Sequence, residues 1–109
     1  MRRKAVISSL AAASEHSAQL ADLFRLLGDS SRLRIVIACI DVPVAVGELA
    51  DRLDLSGSLV SHHLRLLKAA RIVKAERRGK QVFYSAADDH IRCVIADMLE
   101  HVSEPDEED

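Results

Sequence analysis

The sequence is poor in the residues that build disulfide scaffolds, membrane helices and nucleotide-binding loops. Its 109 residues include two cysteines, Cys39 and Cys93, and neither has the close cysteine spacing of a structural zinc motif. The strongest apolar run, residues 35–40, is far shorter than the ~20 residues that span a bilayer. No glycine-rich phosphate loop or nucleophile motif is present. We therefore expect a reduced, cytoplasmic protein that has no membrane segment and is not an enzyme.

Both ends of the chain differ in character from the middle. Residues 1–14 have the basic start and alanine-rich end of a signal peptide, but Ser8 and Ser9 interrupt the apolar part. We expect a flexible arm over residues 1–14 instead. At the other end, five of the six residues over 104–109 are acidic, which is typical of a solvated tail. The predicted folded domain therefore covers residues 15–103.

Positive charge is concentrated in one part of the chain, although the formal net charge is −2. Between Ser56 and Ala87 there are seven basic residues and a single acidic one, Glu76. This segment is suited to a polyanionic partner, and the acidic tail hides it in the average charge.

Hydrophobic periodicity predicts four helices, a β-hairpin and a final helix. The first helix covers about Ser17–Leu27, and the second follows a cap at Asp29 or Ser30 and runs to Pro43. The third and fourth are "VGELADRL" and "SLVSHHLRLLKAA", separated by a turn that supplies a new helix cap.

The runs "IVKAER" and "QVFYSA" flank a turn at Gly79, and Asp88 or Asp89 caps a last helix that reaches about Val102. This order predicts a mainly α fold with a small β-hairpin, a dimeric winged helix-turn-helix whose last helix forms the dimer interface.

The fourth helix has the pattern of a DNA recognition helix. A helical wheel places Leu59, Val60, Leu66 and Leu67 on one side and short polar or basic residues on the other. Recognition helices use their first residues on base edges and later cations on phosphates. The predicted contacts are Ser56, Ser58, Ser61, His62, Arg65 and Lys68. His63 falls within the apolar side, and we expect it to be a core histidine.

The hairpin, called the wing, carries a second basic group at its tip. Arg77, Arg78, Lys80 and Gln81 surround the glycine turn and are predicted to reach the adjacent minor groove or the phosphate backbone. The alternative is a solvated turn, in a winged helix that binds protein rather than double-stranded DNA. Loss of duplex DNA binding when Arg77 and Lys80 are neutralised would distinguish a DNA-binding wing from a protein-binding one.

The last helix combines an apolar stripe with four polar groups of metal-ligand type. Ile91, Val94, Ile95, Met98, Leu99 and Val102 recur at helical spacing, which suits packing against another helix. His90 and His101 differ by 11 residues, so they share one edge of the stripe but lie about 16 Å apart along it. One metal ion cannot bind both histidines of one straight helix, because each ligand must approach to about 2 Å.

An antiparallel copy of this helix would bring His90 of one chain beside His101 of the other. Asp88 and Glu104 lie next to these histidines, so each of two equivalent sites would hold two imidazoles and two carboxylates. A closed site of this kind suits Zn²⁺ and tolerates Co²⁺ or Ni²⁺, and it leaves no position for a catalytic water. The alternative is that Asp88 only caps the helix and the other three groups are solvated.

These residues make the chain similar to the ArsR/SmtB family of metal-responsive repressors over about residues 18–104. The resemblance rests on "LFRLLGDSSRLRIV", "VGELADRLDLSGSLVSHHLRLLKAARIV", "RRGKQVFYS" and the Asp88-x-His90-x10-His101-x2-Glu104 pattern. It implies a homodimer that binds operator DNA in its metal-free form, represses a metal-efflux or resistance operon, and releases the DNA when zinc binds.

The sequence departs from the family pattern at three places. The family's other metal site uses cysteines at the start of the third helix, where this chain has Ala45, so a thiolate site is not expected. Family members that sense sulfur species pair cysteines on the second and last helices. Cys39 and Cys93 lie on those helices at other positions, and a thiol-oxidation response through them is the alternative function. Gly57 stands where many members carry a polar residue, so one base contact is expected to be missing.

Overall fold

The computed structural model describes residues 10–106, with side chains from Glu15 onward. This part of the chain forms five helices and a three-stranded antiparallel sheet, and it confirms the predicted winged helix-turn-helix. The elements are α1 (Leu10–Leu27), α2 (Ser30–Cys39), β1 (Val44–Ala45), α3 (Val46–Leu53), α4 (Gly57–Ala69), β2 (Val73–Arg78), β3 (Gln81–Ala86) and α5 (Asp89–Ser103).

Three boundaries differ from the prediction. Helix α1 begins at Leu10, within the range predicted to be a flexible arm, because its alanine-rich start has high helix propensity. Helix α2 ends at Cys39, four residues before Pro43, and Ile40 is its C-cap. Strand β1 was not predicted, because two residues are too short to show an alternating pattern. Residues 1–9 and 107–109 lie outside the described residues, so the rest of the arm and the end of the acidic tail stay predictions.

Short polar side chains begin three of the helices. Asp29, Ser56 and Asp88 each accept a hydrogen bond from the backbone N–H three residues later, as helix-capping residues do. Asp54 and Arg71 have left-handed backbone conformations, with φ of 57° and 61°, and each follows a helix directly or within two residues. These caps and turns set the directions of α3, α4 and β2.

The core lies where α2, α3 and α4 pack on the sheet. Ile35, Leu49, Leu64, Leu67 and Ile72 are among its fully buried side chains. Strand β3 lies between β1 and β2, with Ala45 opposite Phe83 and Val73 opposite Ala86. Burial of apolar side chains at this junction stabilises the arrangement of the three helices and the wing.

The buried side of α4 is not the one that the helical wheel predicted. Val60, His63, Leu64 and Leu67 are buried, whereas Leu59 and Leu66 remain 39% and 37% exposed. The prediction was wrong for these two leucines because they lie at the edge of the stripe, where the neighbouring helices do not cover them.

An apolar surface remains uncovered on the outer helices. In α5 only Ile95 is buried, while Val94, Met98, Leu99 and Val102 are exposed. Leu20 and Phe24 of α1 are also more than half exposed. Several exposed large apolar side chains on the same helices are typical of a protein interface. None of the helices between residues 10 and 106 has the length and apolar character that a bilayer crossing requires.

Candidate DNA interface and metal site

The start of α4 presents short polar side chains at its exposed end. The Leu59 N–H donates to Ser56 Oγ over 3.1 Å, and Ser58 Oγ lies 3.4 Å from the same oxygen. Ser56 therefore positions the first turn of the helix, in addition to its predicted contact with DNA. Gly57 has no atom within 4 Å of where a Cβ would stand, so its position is open to solvent or to a ligand.

The remaining predicted contacts on α4 form one exposed face. Ser58, His62, Arg65 and Lys68 are exposed, and Ser61 is half-buried at the edge of that face. No ion pair recorded for residues 15–106 involves Arg65 or Lys68. Both cations are free to meet phosphate oxygens, which is the dominant source of affinity in protein–DNA binding.

His63 lies on the opposite side of α4 and is only 7% exposed, as expected for a core histidine. Its Nδ1 atom is buried and has no hydrogen-bond partner among the described residues. Desolvation lowers the pKa of His63, and the nearby Asp29 carboxylate opposes this effect. Burial between the helices therefore favours the neutral form of this side chain.

The wing presents its cations unequally. Gly79 has a φ of 65°, which lets the chain reverse between β2 and β3. Arg78 donates to Glu76 over 3.2 Å and stacks 4.8 Å above the Phe83 ring, so its guanidinium is already engaged. Arg77, Lys80 and Gln81 are exposed, and no ion pair recorded for residues 15–106 holds the two cations.

Asp88 and His90, which we call the cap pair, lie together at the start of α5. Asp88 Oδ1 accepts the Ile91 N–H over 3.0 Å, while Oδ2 lies 3.7 Å from His90 Nδ1. The hydrogen bond from the Ile91 backbone lowers the pKa of Asp88, and His90 lowers it further. The His90 side chain is 94% exposed. Two ligand atoms on a tetrahedral zinc lie about 3.3 Å apart, so the donor types and the spacing of this pair fit one half of a zinc site.

His101 and Glu104, which we call the end pair, lie at the other end of α5. His101 is in the last helical turn and Glu104 is its C-cap, and both are exposed. One chain does not bring the two pairs together, and among the described residues no group of three or more histidine, cysteine or acidic side chains could hold a metal ion. The four predicted ligands can meet only if a second chain supplies one pair.

A cleft beside the cap pair was missed by the sequence reasoning. It has a volume of about 630 Å³ and lies between the end of α4, the start of β2, α1 and the first turn of α5. We call it the basic cleft, because Lys68, Arg71 and Lys74 line it together with Asp88 and His90. The spacing of these cations, every three residues, was visible in the sequence. Their convergence depends on the left-handed turn at Arg71, and the sequence did not reveal this turn.

The two cysteines are in different environments. Cys39 is fully buried, and this burial raises its pKa to about 11. Cys93 is exposed on α5. A thiol with so high a pKa holds almost no reactive thiolate at neutral pH, so Cys39 is poorly suited to a redox response.

Comparison with known proteins gives three findings. Residues 29–75 match the family described as "Bacterial regulatory protein, arsR family". The chain is 38% identical over 92 residues to the "Transcriptional repressor SmtB homolog" of Synechocystis sp., which is 84% of this chain and 70% of that protein.

The third finding is a likeness to solved structures. Reduced HlyU from Vibrio cholerae has a TM-score of 0.78 and 27% identity, and covers 87% of this chain and 100% of its own. The homodimeric winged helix-turn-helix DNA-binding domain of Mb0332 from Mycobacterium bovis has a TM-score of 0.72 and 23% identity, and covers 86% of this chain and 94% of its own. The second likeness concerns the fold alone.

Proposed function

Because the chain belongs to the arsR family of bacterial regulatory proteins, we propose that it is a zinc-responsive repressor that binds operator DNA as a homodimer. The metal-free dimer holds the operator, and metal binding between the two copies of α5 releases it. The observation that carries this proposal is the cap pair, which offers a carboxylate and an exposed imidazole 3.7 Å apart beside an uncovered apolar stripe.

The DNA-binding step rests on two free groups of cations. Arg65 and Lys68 of α4, and Arg77 and Lys80 of the wing, are exposed and unpaired among residues 15–106. Ser58, Ser61 and His62 lie in the first two turns of α4, where recognition helices contact base edges. A dimer presents each group twice, about one helical turn of DNA apart.

The dimer is supported by the exposed apolar side chains of α5 and α1. Val94, Met98 and Leu99 together form a stripe that water would otherwise surround. If two α5 helices pair antiparallel about an axis near Ile95 and Ala96, the cap pair of each chain meets the end pair of its partner. The Mb0332 domain, whose fold this chain shares, is homodimeric.

Asp88 and His90 of one chain, with His101 and Glu104 of the other, would hold the metal. Zinc bound there would supply a rigid tetrahedral link between the ends of the two helices. Co²⁺ and Ni²⁺ are compatible with the same nitrogen and oxygen ligands. The name of the Synechocystis relative includes SmtB, which agrees with a metal-responsive role but does not select the metal.

The route from the metal site to DNA runs through the turn after α4. Arg71 and His90 line the same cleft, so the partner's His101 would enter the cleft that Arg71 lines. A ligating histidine usually donates its other N–H to a nearby acceptor, and the Arg71 carbonyl is the acceptor that we propose. Arg71 joins the recognition helix to the wing. A rotation at this residue changes the distance between the two recognition helices of the dimer, and DNA is released.

Fluorescence anisotropy tests this function. A duplex from upstream of the gene is titrated with protein in chelator and then with excess zinc, at fixed salt. We expect tight binding that zinc weakens in the wild type but not in His101→Ala. Binding that does not respond to zinc contradicts zinc sensing, and loss of the response in Cys93→Ala but not in His90→Ala would instead support the thiol alternative.

A further inference from the structure

The basic cleft holds three cations that form no recorded ion pair within the described part of the chain. These cations are Lys68, Arg71 and Lys74. The one carboxylate in the lining, Asp88, is already engaged as a helix cap beside His90. The cleft also offers apolar walls from Leu23, Val73 and Ile91. Its surface therefore suits an acidic peptide segment.

The chain carries such a segment directly after α5. The helix ends at Ser103, and Glu104 has extended backbone, with φ of −69° and ψ of 144°. Pro105 cannot continue the helix, and Asp106, Glu107, Glu108 and Asp109 follow it. We call Pro105–Asp109 the acidic segment. The acidic segment is therefore opposite in charge to the cations that line the cleft.

Antiparallel pairing of α5 brings these two features together across the dimer. The cap pair lines the cleft, and in the antiparallel dimer the partner's end pair would lie beside the cap pair. The residues that follow Glu104 of the partner subunit would therefore start at the entrance of the cleft. Five extended residues reach about 16 Å, which is sufficient to pass all three cations. A chain cannot place its own segment there, because α5 separates the segment from its own cleft by about 22 Å.

We propose that the acidic segment of each protomer docks in the basic cleft of its partner. The inference rests on the antiparallel pairing in the proposed function and names a contact beyond the metal site. The acidic segment and a DNA phosphate then compete for the ammonium group of Lys68. Docking lowers the affinity of the dimer for DNA, and metal ligation by the end pair, which holds the segment at the cleft, strengthens this effect.

Zero-length crosslinking tests the contact. Metal-free dimers are formed from equal amounts of ¹⁵N-labelled and unlabelled full-length protein and treated with a carbodiimide, which couples carboxylates to lysines. We expect crosslinks from the acidic segment to Lys68 or Lys74 that join a labelled to an unlabelled peptide. Crosslinks to Lys80 of the wing, or crosslinks only within one chain, would overturn the proposal.

A charge exchange tests whether the contact contributes energy. The dimer dissociation constant is measured by analytical ultracentrifugation at low and high salt. Lys74→Glu is expected to raise this dissociation constant about tenfold at low salt, because each dimer loses two ion pairs that are individually weak. The increase should be small at high salt, because salt screens exposed charges. Glu107→Lys in the segment is expected to have the same effect, and combining these two single changes restores part of the lost dimer stability, because one ion pair is re-formed with its charges exchanged.

Lys80→Glu is the matched control, because it has the same charge change on the wing. Recovery with Lys80→Glu in place of Lys74→Glu, or additive losses with no recovery, would refute the docking site. These outcomes are independent of zinc: a wild type whose DNA binding ignores zinc contradicts the proposed function, whereas the crosslink and the charge exchange are read in the metal-free dimer.

Discussion

One carboxylate oxygen of Asp88 caps α5, and the other faces His90. Oδ1 accepts the Ile91 N–H over 3.0 Å, and Oδ2 lies 3.7 Å from His90 Nδ1. The helix cap thus orients the carboxylate before any metal binds. The same hydrogen bond lowers the pKa of Asp88, which keeps the carboxylate ionised and ready to act as a ligand well below neutral pH.

The two roles of Asp88 are separable by substitution. Asn caps a helix about as well as Asp, so Asp88→Asn is expected to keep the melting temperature and to weaken zinc binding by at least about tenfold through loss of the anionic ligand. Asp88→Ala is expected to lower both. Thermal unfolding followed by circular dichroism and a competitive zinc titration measure the two effects. Equal zinc affinity in wild type and Asp88→Asn would contradict the ligand role.

A site shared between chains predicts complementation between two inactive variants. In a dimer of His90→Ala with His101→Ala, one site lacks both histidines and the other has all four ligands. Mixing the variants and allowing subunit exchange should restore one cobalt site in about half of the dimers, visible in the Co²⁺ absorption spectrum.

The matched control mixes His90→Ala with Asp88→Ala. Both changes lie in the cap pair, so every site of that mixed dimer is damaged and no recovery is expected. Recovery in the control, or none in the test mixture, would exclude the shared arrangement.

The wing cations are expected to contribute unequally to DNA binding. Lys80→Ala and Arg77→Ala should each reduce the slope of log K against log salt by about 2 per dimer, since each copy loses about one phosphate contact. Arg78→Ala should change the slope less, because Glu76 and Phe83 hold its guanidinium. Anisotropy at several salt concentrations measures the slopes. Equal slopes in all four proteins would indicate that the wing does not touch DNA.

His63 makes stability depend on pH below neutrality. Burial lowers its folded pKa below the ordinary value of 6.5, so the unfolded chain takes up the proton first as the pH falls. The free energy of unfolding should therefore decline from about pH 6.5 towards the folded pKa, and it should be unaffected by this group at higher pH. His63→Met, measured by urea unfolding between pH 5 and 8, should flatten this decline, whereas the exposed His62→Gln should not. A decline that is unchanged in His63→Met would assign it to other groups.

Two leucines of α4 that differ by two positions should differ in their effect on stability. Leu64 is fully buried, so Leu64→Ala is expected to cost about 3 kcal/mol of unfolding free energy. Leu66 is 37% exposed, so Leu66→Ala should cost roughly 1 kcal/mol. Urea unfolding at one pH compares them. A larger loss at Leu66 would mean that a partner chain covers it.

Local patterns predicted most of the fold because they act over a few residues. The caps at Asp29 and Asp88, the glycine turn of the wing and the helical periods are all readable within one or two turns of chain. The misplacement of Leu59 and Leu66 has a different origin. Periodicity gives the direction of a buried face, but the packing of neighbouring helices sets its width.

The candidate site divides in the same way. Asp88 and His90 are neighbours in sequence, so their pairing was predictable from the helix cap. The meeting of His101 with them requires a second chain, and the basic cleft requires the left-handed turn at Arg71. Neither depends on residues that are close together in the sequence.

The position of α5 at the end of the chain determines when its apolar stripe appears during synthesis. Apart from Ile95, the buried core residues lie between Ile35 and Ala86, so they leave the ribosome before the apolar stripe of α5 does. Chains emerge from the ribosome with the N-terminus first, and domains generally fold as units. Of the apolar surface proposed to recruit a second copy, Leu20 and Phe24 of α1 leave the ribosome first and the stripe of α5 leaves last. The complete surface therefore exists only after the recognition helix and the wing have emerged.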